Sequence, residues 1–274
     1  MCRFIIFYAK RRSFTSLKTF FKALISSSKN DPHLSSISKF KSHSHGWGYS
    51  IICFNKGDTK IFHGKSLKPI YYDPIANYSY VLEPLSTSDT CFGMIHVRLA
   101  SRKEPINIFS TQPFFLNIEN LGYMWFIHNG SVNKNIIAKI LGKEELMETY
   151  SDSYLASMLI AKKYMGGENI VKVIKDCIKY VKTAFNIGII LMNTDKLITI
   201  AMKYLVPERE TINRYSNYYK LYHVSKDGFK AIVSSTIIDF YLKEERKFSE
   251  AFKNGEIRLW EYDVNSDKLV ETKF

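Results

Sequence analysis

The strongest constraint on the fold of this 274-residue chain is a block of helical periodicity set between two groups of strand-like segments. Short runs of apolar, β-branched and aromatic residues favour strands over 2–8, 47–54, 59–63, 91–99 and 123–128. Similar runs follow the helical block, over 185–192, 197–202, 220–224, 230–234, 256–262 and 268–272. Strands separated by a block of helices predict an α+β protein with two largely antiparallel sheets, not a doubly wound parallel sheet.

The predicted helices are defined by apolar residues three or four positions apart. They cover 14–25, 132–141, 151–164 and 169–183, and helix starts are predicted at Ser151 and at Gly167 or Glu168. The polar stretch 26–32 after the first helix is predicted to be a loop. Because no Pro/Gly-rich linker divides the chain, we predict a single domain over residues 1–274.

The chain carries 39 basic and 26 acidic residues, a net charge of +13. Such an excess fits either a polyanion partner or simply a basic surface. The basic residues are spread from Lys10 to Lys273, and the densest cluster covers only residues 10–12. Since no nucleic-acid recognition module accompanies the charge, we expect no nucleic-acid partner.

The cysteines are widely separated, without a Cys-x-x-Cys pair or the density of a disulfide scaffold. We interpret Cys53, Cys91 and Cys177 as core residues and expect a reducing, cytoplasmic environment. The apolar residues 4–9 precede the positive cluster, which is the reverse of a signal peptide. No segment approaches the roughly 20 apolar residues that span a bilayer, so no membrane association is expected.

Cys2 directly follows the initiator methionine. Removal of that methionine would leave a thiol and a free α-amine on one residue. An α-amine titrates near pH 7.7–8.0, roughly half a unit below a free thiol, so it can accept the proton of the thiol. The alternative is a small buried residue at the start of a strand, and position alone does not separate the two interpretations.

The Asn129-Gly130 pair ends the apolar run 123–128. An Asn amide beside a backbone N–H can stabilise the oxyanion of a tetrahedral intermediate, and each such donor contributes about 3 to 4 kcal/mol. Asn-Gly is also the commonest dipeptide of tight hairpin turns. Both interpretations stay open from these residues alone.

Two charged residues are candidates for binding a substrate. Arg98 comes near the end of an apolar run, where its planar guanidinium would need a carboxylate partner that a substrate can supply. Asp152 stands at a predicted helix start, either as a cap or as a partner for a substrate ammonium group. Together, Arg98 and Asp152 would bind the two charged groups of an α-amino acid.

Short motifs in a fixed order resemble the class II glutamine amidotransferases, which belong to the N-terminal-nucleophile hydrolases. The motifs are Cys2-Arg3-Phe4, His45-Gly46-Trp47-Gly48, His96-Val97-Arg98-Leu99-Ala100-Ser101, His128-Asn129-Gly130 and Ser151-Asp152-Ser153. The resemblance covers residues 2–165 closely and is nearest to stand-alone members without an attached synthase domain. It implies a four-layer αββα sandwich with the N-terminal cysteine at the end of a central strand.

The resemblance also implies roles for individual residues. Cys2 would be the nucleophile and its α-amine the general base. Asn129 and the Gly130 N–H would form the oxyanion hole. Arg98, with Ser101 beside it, would bind the substrate α-carboxylate.

Three further features follow from the same comparison. Asp152 would bind the substrate α-ammonium group. Trp47 and Gly48 resemble a Gly-Trp-Gly loop near the nucleophile, or else are a packed aromatic residue and a strand bend. His45 stands where many relatives have Asp, and Gln112 where a His often precedes Pro-Phe; these departures concern substrate range rather than bond making.

The implied reaction is hydrolysis of the side-chain amide of glutamine through a γ-glutamyl thioester, with ammonia released or passed to a separate synthase or amine-acceptor enzyme. One alternative substrate is a γ-glutamyl peptide or conjugate. An alternative of another class is a non-catalytic regulatory or polyanion-binding subunit. The oligomeric state is left open.

No metal or organic cofactor is implied. His43 and His45, with His33 and His63 not far away in sequence, have no carboxylate or thiol at matching spacing. We therefore interpret them as solvated loop histidines.

Overall fold

The computed structural model describes residues 1–56, 58–77 and 80–274, and within these ranges the strands form two antiparallel sheets. Sheet A has the strand order β11-β9-β10-β1-β4-β2-β3, and sheet B has the order β13-β12-β8-β7-β6-β5. The strands are β1 (Cys2–Lys10), β2 (Trp47–Asn55), β3 (Asp58–Ser66), β4 (Thr90–Arg98), β5 (Phe114–Ile118), β6 (Gly122–Val132), β7 (Val181–Met192), β8 (Lys196–Met202), β9 (Leu221–Lys226), β10 (Phe229–Ser234), β11 (Ser249–Ala251), β12 (Ile257–Asp263) and β13 (Lys268–Lys273).

Helices cover the outer face of each sheet. Apolar residues of α1 pack against sheet A, and those of α5, α6 and α7 pack against sheet B. The layers therefore run helix, sheet, sheet, helix, which confirms the predicted four-layer α+β sandwich. The helices are α1 (Phe14–Lys29), α2 (Pro32–Ile37), α3 (Pro74–Asn77), α4 (Glu83–Ser86), α5 (Lys134–Leu141), α6 (Asp152–Met165), α7 (Ile170–Cys177), α8 (Pro207–Glu210) and α9 (Asn213–Tyr219).

The first strand is buried on both faces, as the run of apolar residues predicts. Ile5 and Phe7 belong to the core between sheet A and its helices, whereas Phe4 and Ile6 belong to the core between the two sheets. Because successive side chains of a strand point to opposite faces, Cys2 shares the inter-sheet face with Phe4 and Ile6. Strand β1 thus presents the thiol at the end of the inter-sheet core.

The helix predicted over 169–183 is too long. Helix α7 ends at Cys177, and β7 begins at Val181, which pairs with Val132 of β6. Asn169, not Gly167 or Glu168, caps the helix, because its side chain accepts hydrogen bonds from two backbone N–H groups of the first turn. Pairing with a distant strand overrides the local apolar periodicity.

The loop predicted over 26–32 is confirmed only at residues 30 and 31. Helix α1 continues to Lys29, and α2 begins at Pro32. The hydroxyls of Ser27 and Ser28 donate to carbonyls one turn earlier, at 2.9 Å and 2.7 Å, and both side chains are buried. Serine satisfied in this way is compatible with a helix, although it also favours turns.

Two of the cysteines form a bond that the sequence did not predict. Cys53 and Cys91 are buried core residues, as expected, but they face each other on β2 and β4 and form a disulfide. The strand register sets them opposite, whereas their separation of 38 residues gives no such signal. The reducing, cytoplasmic environment expected from the cysteine pattern stays a prediction.

None of the helices in the described ranges has both the length and the apolar character of a membrane span.

Candidate active site

Cys2 lies where the two sheets meet at one end of the sandwich. In sheet A it is opposite Arg98 of β4, and only 5% of its surface is exposed. Its backbone N–H donates to Asn129 Oδ1 of sheet B at 2.9 Å. Met1 extends the ladder by one residue, because its ammonium donates to Leu99 O and its carbonyl accepts from the Leu99 N–H, both at 2.8 Å.

Asn129 and Gly130 lie within β6 rather than in a hairpin turn. Asn129 is opposite Asn186 of β7, which excludes the turn interpretation for this pair. Asn129 Oδ1 accepts from Cys2, while its buried Nδ2 has no hydrogen-bond partner among the described residues. A Cβ on Gly130 would lie 1.8 Å from Ala184 O, so only glycine fits there. The Asn129 amide therefore has an unused donor next to Cys2.

The predicted residues converge on a small cavity. Its volume is about 20 Å³, which is room for a single water molecule. The residues that line it include Cys2, Arg98, Ser101, Gly130 and Asp152. The structure thus brings together residues that are up to 150 positions apart in the sequence.

Arg98 is a buried guanidinium with spare donors. It is 3% exposed, and its Nη1 has no hydrogen-bond partner among the described residues. Burial lowers the pKa of Arg98, and the nearby Cys2 and acidic residues only partly oppose that shift. A buried guanidinium with unused hydrogen-bond donors binds a carboxylate strongly.

Asp152 is the first residue of α6, but it is not the cap of the helix. Ser151 occupies the N-cap position, where its side chain accepts from the Tyr154 N–H. Asp152 Oδ2 accepts from the Val132 N–H at 2.9 Å, and Asp152 is 7% exposed. Its carboxylate is therefore held at the cavity by β6 and remains available for a cation.

Glu104 is a second carboxylate at the cavity, and the sequence did not predict it. Its Oε2 accepts from the Asp152 N–H and lies 3.3 Å from Lys134 Nζ. Burial raises the pKa of Glu104, and the negative charge of Asp152 raises it further. No spacing in the sequence marks Glu104, because it lies in the connection between the two sheets.

Trp47 and Gly48 do not line the cavity. Trp47 packs on the helix side of sheet A, and its Nε1 donates to Asp73 Oδ2 at 3.0 Å. A Cβ on Gly48 would lie 2.5 Å from Gln112 O, so glycine at position 48 of β2 allows the main chain of Gln112 to come close. Gln112 does line the cavity, and its Oε1 accepts from the His128 N–H at 2.6 Å. Gly48 therefore contributes to the site indirectly, because it leaves room for Gln112.

The thiol of Cys2 is electrostatically activated. Burial by itself raises the pKa of Cys2, but the Met1 ammonium and the fully buried His96 more than offset it, so with Met1 in place the pKa lies well below the usual range. His96 is two residues before Arg98 on β4 and so lies on the same face. In the sequence, His96 was marked only by the His-x-Arg pattern that it forms with Arg98.

A buried ion pair lies on the opposite face of the same strand end. Arg3 Nε donates to Asp31 Oδ2 at 2.6 Å, and Asp31 also accepts from Thr236 at 2.7 Å. His43 Nε2 is 2.8 Å from Asp31 Oδ2, and His43 is fully buried, so its interpretation as a solvated histidine is wrong. This network holds the start of β1 against α2.

Among the described residues, no group of three or more histidine, cysteine or carboxylate side chains could hold a metal ion.

Comparison of the sequence with family models and with curated proteins finds no match. Comparison of the structure finds solved enzymes with a similar fold. The allosteric regulatory enzyme of purine biosynthesis matches with a TM-score of 0.57 and 15% identity, over 100% of this chain and 49% of that chain. Glutamine phosphoribosylpyrophosphate amidotransferase from B. subtilis matches with a TM-score of 0.54 and 15% identity, over the same shares of the two chains.

This chain therefore spans about half the length of both solved structures. At 15% identity the likeness establishes a common fold. The chain shares the fold of these two solved enzymes, and its layers of helix, sheet, sheet and helix agree with the sandwich that the sequence motifs imply.

Proposed function

We propose that this protein hydrolyses the side-chain amide of glutamine or of a γ-glutamyl conjugate, with Cys2 as an N-terminal nucleophile. The observation that supports this most is the convergence of Cys2, Arg98 and Asp152 on one cavity, beside the unused amide donor of Asn129. A nucleophile, an oxyanion donor and two opposite charges for an α-amino acid are the groups that this reaction needs. The amidotransferase fold supports the same class of reaction.

The reaction begins after Met1 is removed, when the α-amine of Cys2 is free. The amine takes the thiol proton, and the thiolate attacks the γ-carbonyl carbon to form a C–S bond. The oxyanion accepts hydrogen bonds from Asn129 Nδ2 and the Gly130 N–H. The C–N bond then breaks, and the α-ammonium returns its proton to the leaving amine. Water hydrolyses the thioester and regenerates the thiol.

Charge complementarity orients the substrate. Arg98 binds the α-carboxylate with Ser101 beside it, and Asp152 binds the α-ammonium. The side chains of Arg98 and Asp152 are already largely desolvated, so the low local dielectric strengthens their ion pairs with the substrate. The ammonia is either released or passed to a separate amine-acceptor enzyme.

The test is glutamate release from glutamine and from a panel of γ-glutamyl amides. The protein sample is divided into material that retains Met1 and material whose intact mass shows its loss. We expect activity only in the trimmed material. Equal activity in both fractions would contradict the proposed general base.

Replacement of Asn129 with alanine is expected to lower kcat by roughly 10²- to 10³-fold with little change in KM, because the lost donor acts on the oxyanion. Steady-state kinetics measure this. Asn117→Ala, on the exposed side of β5, is the matched control and should retain wild-type kcat. A change in KM alone for Asn129→Ala would refute the oxyanion role.

Replacement of Arg98 with lysine is expected to raise KM by about 10- to 100-fold, because a charged hydrogen bond contributes about 1.5–3 kcal/mol and lysine loses the forked geometry. Substrate analogues that lack the α-carboxylate should be affected far less. Arg102→Lys, an exposed position in the neighbouring connection, is the matched control. Equal losses with and without the carboxylate would show that Arg98 has only a structural role.

A further inference from the structure

A second cavity adjoins the one at Cys2. Its volume is about 280 Å³, near the lower end of the range of roughly 300–1,000 Å³ for small-molecule sites. Met1, Ser101 and Gly130 line both cavities. Arg209 and Tyr215 line the second cavity but not the first.

Met1 occupies the boundary between the two cavities. Its main chain makes two hydrogen bonds with the main chain of Leu99, and its side chain packs against an apolar cluster that includes Tyr215 and Tyr219. Removal of Met1 frees the Leu99 N–H and C=O and vacates the space of one residue. What remains is a site for another amino-acid residue, with a backbone donor, a backbone acceptor and an apolar wall.

The same site contains an uncompensated positive charge. Arg209 is half-buried and its guanidinium lies 4.7 Å from the centre of the Tyr215 ring. Glu210 beside it pairs with Lys203 at 2.8 Å, and no carboxylate of the described residues forms an ion pair with Arg209. A guanidinium that is held on an aromatic ring and lacks a carboxylate partner is suited to binding one from a ligand.

We propose that this cavity binds the leaving group of a γ-glutamyl dipeptide, an α-amino acid with an apolar or aromatic side chain whose carboxylate pairs with Arg209. The inference rests on the proposed function and specifies its substrate class. In this reaction the thiolate of Cys2 forms the C–S bond, the γ-glutamyl C–N bond breaks, and the α-ammonium of Cys2 protonates the departing amine. The departing amino acid then lies on the side of Cys2 that Met1 had occupied. Free glutamine releases only ammonia and makes no use of this cavity.

The test compares three substrates: γ-glutamyl-phenylalanine, γ-glutamyl-phenethylamine, which lacks the carboxylate, and glutamine. For the wild-type protein we expect kcat/KM for γ-glutamyl-phenylalanine to exceed the other two by about 10-fold or more, the size of one charge-assisted contact. In Arg209→Met, the ratio of γ-glutamyl-phenylalanine to γ-glutamyl-phenethylamine should fall to about one. Arg214→Met is the matched control, because Arg214 also lies over Tyr215, at 5.4 Å, but is exposed and does not line the cavity.

Failure of this inference can be distinguished from failure of the proposed function. Hydrolysis of glutamine by the wild type, without preference for the dipeptide, would overturn only the inference. Absence of hydrolysis for every substrate would overturn the proposed function. A binding measurement then decides the inference separately: calorimetry with Cys2→Ala should show that Arg209→Met weakens binding of γ-glutamyl-phenylalanine about 10-fold, and equal affinities would refute it.

Discussion

Replacement of Cys2 with alanine is expected to abolish glutamate release from glutamine and from γ-glutamyl substrates, with a loss of about 10⁴-fold or more. The thiol supplies the bond to the acyl group, and no other nucleophile among the described residues has its position beside Arg98 and Asn129. The fold should be retained, because alanine fits where the cysteine side chain is already buried. Kinetics and circular dichroism check the two parts of this prediction.

Cys177 provides the matched control, because it is the other free cysteine of the described chain. It is buried in the core between sheet B and its helices, and burial raises the pKa of its thiol to about 11. A glutamine-derived electrophile should therefore label Cys2 and leave Cys177 unmodified. Cys177→Ala should keep wild-type turnover. Labelling of Cys177, or turnover by Cys2→Ala, would contradict the assignment of the nucleophile.

Replacement of Asp31 with alanine is expected to lower the free energy of unfolding by about 3–5 kcal/mol, because it leaves the Arg3 guanidinium buried without a carboxylate. Both side chains of this pair are fully buried. The guanidinium also donates to Tyr218 O at 2.7 Å, which cannot neutralise its charge. Chemical denaturation measures the loss.

The control is an exposed ion pair of the same chemistry. Arg11 and Asp89 are 3.0 Å apart, with more than half of each side chain exposed, so Asp89→Ala should cost less than about 1 kcal/mol. A joint replacement, Arg3→Met with Asp31→Leu, should recover only part of the stability: neither charge then remains buried, but the Leu34 N–H and the Thr236 hydroxyl lose their acceptor. Equal losses of unfolding free energy for Asp31→Ala and Asp89→Ala would show that burial adds nothing to the contribution of the Arg3–Asp31 pair.

Acid provides a further check on the same pair. Burial alone would raise the pKa of Asp31, but the Arg3 guanidinium and the hydrogen bond from His43 hold it well below the usual range. The contribution of Asp31 is therefore fully present above its unfolded pKa of about 3.9 and is lost as the pH falls further. The stability difference between wild type and Asp31→Ala should shrink progressively below about pH 4.

Local pattern was sufficient for much of the fold. The doubly buried β1 and the N-cap of α6 at Ser151 follow from residue types and spacing, because both depend on neighbours within a few positions. Strand β5 was missed, since the side chains of Phe114–Ile118 alternate between buried and exposed only through pairing with β6. The helix predicted over 169–183 failed for the same reason at β7.

The sequence by itself determined which chemical groups are available: a cysteine next to the initiator, an Asn-Gly pair, and an arginine and an aspartate for an α-amino acid. Only the tertiary structure decided which of them meet, because strand register and side-chain face are properties of the paired sheets. Strand register placed Cys53 opposite Cys91, and the face of β2 directs Trp47 away from the cavity. The path of the connection between the sheets brings Glu104 beside Asp152. Contacts between residues far apart in the chain leave no local periodicity from which they can be inferred.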